Sequence, residues 1–166
     1  MNAGSLSQEE VHMSYVIRGL NPAPFAPLFR LDDAALAERG IAAMRVYGDG
    51  YPCRVSLDGA ALGDRVLLLN YQHQPADTPY RSSHAIFVAE HSRTAAEYYD
   101  AIAPVMRTRI LSIRAFNSAG FMVDADVVDG AESHALIRRL LARADTDYLH
   151  VHFAKRGCFA AKVTRS

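Results

Sequence analysis

Residues 148–163 read YLHVHFAKRGCFAAKV, two runs rich in apolar residues on either side of a short polar turn. This order predicts a β-hairpin. A three-residue loop, Lys155-Arg156-Gly157, puts Gly157 at the left-handed position that closes a type I turn. Ala154 then pairs with Cys158. Side chains alternate across a strand, so one face carries Leu149, Val151, Phe153, Phe159, Ala161 and Val163. The other carries Tyr148, His150, His152, Cys158, Ala160 and Lys162. A four-residue loop mixes the two sets. A slip of one residue reverses a strand's faces, so the cleaner division favours the shorter loop. It sets Cys158 diagonally from His152.

The stretch before it behaves in the same way. In RILSIRAFNSAGFMVDADVV, residues 109–128, a loop Ser118-Ala119-Gly120 again ends in glycine. The pairing Ala115–Val123, Ile113–Ala125 and Leu111–Val127 makes one face apolar. On the other, Arg114 lies opposite Asp124 and Ser112 opposite Asp126. Between the hairpins, AESHALIRRLLARA spaces Leu136, Ile137, Leu140, Leu141 and Ala144 as one helical stripe. That stripe needs an apolar partner, and the shared apolar sheet face supplies it. The polar face is left solvated or covered by the N-terminal and middle loops to form a pocket.

Working outward, SYVIRGL, IAAMRVY, DRVLLLNYQHQ and HAIFVAEH read as strands. DDAALAERG reads as a short helix capped by Asp32 or Asp33 and ended by Gly40. NPAPFAPLFRL holds at most one helical turn because interior prolines break helices. SRTAAEYYDAIAP, residues 92–104, reads as a helix that stops before Pro104. The fold class expected is α+β: a mainly antiparallel β-sheet with a helix of the C-terminal half packed on its apolar face. Residues 1–12 read as a disordered extension and 13–166 as a single domain.

Composition narrows the function. With 18 basic and 18 acidic residues among 166, the chain lacks the basic surface that contacts phosphates along a nucleic acid. No apolar run reaches membrane-spanning length, and MNAGSLSQEEVHM is not a signal peptide. The expectation is a cytoplasmic protein with no nucleic-acid or membrane partner. Cys53 and Cys158 then read as free thiols.

The chemistry gathers in a few places. His150-x-His152 on a strand sets two imidazoles side by side, as a zinc or other divalent metal site requires. The third ligand is sought among His73, His84, Asp124, Asp126 and Cys158. Without metal, the same histidines suit acid–base chemistry near neutrality. Cys158 beside His152 is a candidate thiolate, against the plainer reading of a small buried cysteine. NYQHQPADTPYRSSH, residues 70–84, concentrates Asn70, Tyr71, His73, Gln74, Tyr80, Arg81 and His84. Arg81, Arg54 and Arg114 are candidates to hold a carboxylate or phosphate, with Tyr80 and Asn70 as further substrate contacts.

YPCRVSL, LLLNYQHQPADTPYRSS, MVDADVVDGAE and YLHVHFAKRGCFAAKV together resemble a family of small bacterial proteins catalogued as a domain of unknown function. The resemblance runs from about Met13 onward and implies no activity. Two functions therefore stand, beside a third reading of a stable accessory protein whose polar face is only solvated. The first is an enzyme acting on a small anionic metabolite. In it His150, His152 and His73 transfer protons or bind metal, and Asp124 or Asp126 orients a histidine or an arginine. The second is a non-catalytic module binding a small ligand or a protein through the same face. A homo-oligomer fits either.

Overall fold

The computed structural model describes residues 13–166, so the extension expected at 1–12 lies outside the described residues. The first part of the chain runs β1 (Tyr15–Arg18), α1 (Asp33–Ala37), β2 (Ala42–Arg45), β3 (Arg65–Gln74), β4 (Ser82–Ala89) and β5 (Glu97–Tyr99). The rest runs α2 (Pro104–Arg107), β6 (Ile110–Phe116), β7 (Met122–Asp129), α3 (Ser133–Leu141), β8 (Tyr148–Phe153) and β9 (Phe159–Arg165). Six strands form one antiparallel sheet in the order β5-β1-β9-β8-β6-β7. Strands β2-β3-β4 form a second, smaller antiparallel sheet. The mainly antiparallel α+β architecture is the one expected. No helix of the described residues is long and apolar enough to cross a membrane.

α3 lies on the large sheet as its stripe predicts. Leu136, Ile137, Leu140 and Leu141 are buried against Leu111, Ile113, Leu149, Val151 and Val163, each contributing about 2 kcal/mol by leaving water. The helix ends at Leu141, so Ala144 of the predicted stripe is exposed. The opposite face is covered by the small sheet rather than by loops, with Tyr71 and His73 of β3 reaching Phe159. Residues 92–104 are not a helix. Glu97–Tyr99 pair with the edge of β1, and Pro104 starts α2. Tyr98 and Tyr99 suit a strand, edge pairing overrides the helix propensity of the alanines, and proline is favoured in a first helical turn.

Both late hairpins depart from the predicted register through bulges. At the last turn, the Phe153 N–H donates to the Cys158 carbonyl at 2.9 Å and the Gly157 N–H to the Phe153 carbonyl at 2.7 Å. The loop thus has four residues, Ala154 to Gly157, with Gly157 left-handed at φ 77°. His152 pairs with Phe159 and Val151 with Ala161, leaving Ala160 as the extra residue. The bulge restores the predicted register beyond Val151 but exchanges two side chains. Phe159 moves to the histidine face, and Ala160 joins the apolar core. Cys158, opposite Phe153, shares its face and packs against that core. It does not stand beside His152 as expected.

Between β6 and β7 the three-residue loop is as predicted, closed by Asn117 and Phe121. A bulge at Val123 then shifts the pairing, so that Asp124 faces Ala115 and Asp126 faces Ile113. Both aspartates therefore lie on the α3 side. Arg139 reaches them at 3.5 and 3.0 Å, and Arg143 reaches Asp124 at 3.3 Å. Their expected place opposite Arg114 and Ser112 is taken by Ala125 and Val127. The helix arginines supply the charge complement that the bulge makes reachable.

Gly130, between β7 and α3, sits against the end of α2 and the residues just after it. A Cβ there would lie 1.7 Å from the Met106 carbonyl oxygen, with backbone on every near side. Gly130→Ala is expected to destabilise the protein by at least about 2 kcal/mol, read as a lowered urea midpoint. Gly59→Ala, with nothing within 4 Å of its Cβ, should leave the midpoint in place.

Candidate metal centre

The polar face of the large sheet starts from cross-strand geometry. On β8, His150 pairs with Arg114 of β6 and Lys162 of β9, and His152 pairs with Ser112 and Phe159. From the small sheet, β3 adds His73 where its ladder with β4 turns irregular between Tyr71 and Gln74. Gln74 Nε2 donates to the Tyr148 hydroxyl at 2.8 Å, tying the two sheets beside the histidines. The His73 ring centroid lies 4.9 Å from that of His152 and 5.6 Å from that of His150.

These three rings are dry. His73 is 8 % exposed, His150 3 % and His152 1 %. Phe159 stacks on His73 at 5.1 Å, while Phe116 and Tyr148 flank His150 at 5.0 and 5.1 Å. Burial holds all three imidazoles neutral. It pushes His73 down to about 4, with Arg114 adding to the effect. It pushes His150 and His152 down to about 3, again with help from the neighbouring histidines and Arg114. Neutral imidazole is the form that binds metal.

The chain fits a divalent cation at this place. One ligand atom from each of His73, His150 and His152 lies within 4.8 Å of the other two, and no other group of three or more His, Cys, Asp or Glu among the described residues does this. His152 Nδ1 lies 2.9 Å from the Gly157 carbonyl oxygen. That carbonyl can only accept, so Nδ1 carries the proton and Nε2 keeps its lone pair. Fixing one ring nitrogen to free the other is how metal-binding histidines are oriented. His73 Nδ1, His150 Nδ1 and His152 Nε2 are all buried without a hydrogen-bond partner. Each such orphan costs about 1–3 kcal/mol, which a bound cation removes.

The other expected site residues are dispersed. Arg114 shares the histidine face, half-buried, its Nε donating to Ser112 Oγ at 3.3 Å. No carboxylate pairs with it among the described residues. Arg54 is instead built into the core, 1 % exposed. Its Nε donates to the Phe159 carbonyl at 2.6 Å, Nη2 contacts Cys158 Sγ at 3.2 Å, and Nη1 donates to the Pro52 carbonyl. Burial pushes it down to about 10. Arg81 donates to the Pro75 carbonyl, Tyr80 packs edge-on to Phe116 and Phe121, and Asn70 is exposed. Asp124 and Cys158 are turned to the α3 side. One contributor was missed, Phe159, which strict alternation turns away and the four-residue turn with its bulge brings in, while Gln74 was noted only as one polar residue of its stretch.

The depressed histidines set a pH dependence. Below about 6.5 the unfolded chain takes up protons that the folded centre refuses until about pH 3–4. Stability is therefore complete above pH 6.5 and falls as pH drops through that window, by about 1.4 kcal/mol per unit for each histidine. Urea midpoints of the metal-free protein should drop steeply between pH 7 and 5. His150→Leu should flatten the slope by about a third.

The family model DUF1203, a protein of unknown function, matches residues 50–165. No curated protein matches the chain, and no solved structure does.

Proposed function

The chain belongs to the DUF1203 family, whose function is unknown, and from its own geometry we propose that it is a metal-dependent protein acting on a small anionic molecule. His73, His150 and His152 hold zinc or a similar divalent transition metal, and Arg114 holds the anion. The observation that carries this reading is the three buried imidazoles within 4.8 Å, each with an orphaned nitrogen. Nitrogen ligands suit zinc and its neighbours, whereas calcium and magnesium require oxygens.

Three protein ligands leave a position for water or a substrate atom, the pattern of reactive rather than structural zinc sites. A metal ion there supplies Lewis acidity and lowers the pKa of a bound water. The chain's own residues do the rest. Gly157 holds the His152 tautomer, Phe116 and Phe159 exclude water, and Arg114 offers a guanidinium without a carboxylate partner. Asp124, engaged by Arg139 and Arg143, has no part in it.

A second reading, binding without catalysis, has its own support. The three histidines are almost closed to solvent, and two surface cavities, of about 410 and 330 Å³, include none of them in their walls.

Elemental analysis of protein purified without chelator should find about one transition-metal ion per chain, lost in His150→Asn and His152→Asn. Added zinc at about a hundred times its Kd should stabilise the protein by about 2.7 kcal/mol. No metal and no zinc-induced rise in Tm would sink the reading. Arg114→Ala should keep the metal but weaken binding of inorganic phosphate about tenfold. Unchanged phosphate affinity would remove Arg114 from the role. Turnover of a small anion that disappears on chelation would favour catalysis, and metal-dependent binding alone the second reading.

A further inference from the structure

We propose that a second binding site, separate from the histidines, lies between the turn at residues 22–30 and the end of β4, and that it takes a small aromatic carboxylate or a similar flat apolar monoanion. The cavity measures about 410 Å³, within the range of small-ligand sites. Its apolar surface comes from Phe25, Phe29 and Val88, of which Phe25 and Val88 are core residues at 5 % and 1 % exposure. Its charged walls are Arg30 and Arg93. Neither arginine has an ion-pair partner among the described residues. Glu90, the acidic residue of the lining, answers one of the two positive charges and leaves a net cation for an anion to meet.

Two further features make this a formed site. Ser92 lines the cavity, and its Oγ accepts from Cys53 Sγ at 3.3 Å. The Ser92 hydroxyl proton is therefore left to donate elsewhere, and a carboxylate oxygen is a matching acceptor. The wall carrying Phe25, Phe29 and Arg30 is also pinned. Arg65 of β3 donates to the carbonyls of Phe29 at 2.8 Å and Leu31 at 3.2 Å. A ligand then binds without the cost of ordering that wall. An apolar floor with cationic rims and one hydroxyl fits a flat ring bearing one negative charge. It does not fit a phosphate alone, which would leave the two phenylalanines without a partner.

The probe is 8-anilinonaphthalene-1-sulfonate, an aromatic monoanion, titrated into the full chain and followed by fluorescence. Saturable binding is expected, displaced by benzoate and not by neutral benzamide. The Arg30→Ala, Arg93→Ala double variant should weaken it about tenfold or more, and Ala26→Trp, filling the cavity from an exposed position, should abolish it. His150→Asn should bind the probe as the parent does, which separates this site from the metal centre. Displacement by benzamide as well as benzoate, or unchanged binding in both cavity variants, would overturn the proposal. Circular dichroism of each exposed-residue variant confirms that the fold compared is the same.

Discussion

The centre of this molecule depends on taking three imidazoles out of water while leaving one nitrogen of each without a partner. The large sheet must cover both faces, and it does so unequally. One face meets the leucines of α3, a simple apolar burial. The other meets the small sheet through His73, His150, His152 and a wall of aromatic rings. An apolar core there would cost nothing in unsatisfied polar groups. Three orphaned nitrogens cost several kcal/mol together. The hydrogen bond from His152 Nδ1 to the Gly157 carbonyl then links the hairpin turn to the centre, so the turn's geometry decides which lone pair is left over.

Two bulges decide who stands at that centre. At Ala160 the bulge delivers Phe159 to the imidazoles, where its ring lies nearly parallel to His73. The preceding residue, Cys158, goes the other way, to Arg54 and the core. At Val123 the bulge removes Asp124 and Asp126 from the sheet's polar face and gives them to the helix. The result is an all-nitrogen centre without a carboxylate or thiolate. In the register expected from strict alternation, Cys158, Asp124 and Asp126 would instead have shared the histidines' face.

What the sequence made legible follows from how each feature is encoded. Apolar periodicity is written along single strands and helices, so α3, its sheet face and the pairing of His150 with His152 could be read directly. His73 was readable as a candidate but not as a neighbour. Its place comes from one sheet packing on another, which leaves no periodic trace. The bulges were invisible because one extra residue changes no composition and no local pattern, yet it shifts the pairing on one side of it by a residue. Residues 92–104 failed for a related reason: the edge of β1 demands a partner, and that demand lies about eighty residues away in sequence.

Charge finally constrains what the centre can hold. Arg114 and Lys162 both flank His150 across the sheet, and the bulge at Val123 turns Asp124 and Asp126 to the other face, away from them. On the proposed reading, three neutral imidazoles add nothing to offset a divalent cation. A dicationic centre beside a half-buried guanidinium is costly in a medium that screens poorly. A cation held there would call for an anionic partner from outside the chain, such as the acid group of a bound molecule. On that reading, the absence of carboxylates that would favour nitrogen-loving metals would also make the centre depend on an anion from outside, and Arg114, paired with His150 across the sheet, would share it.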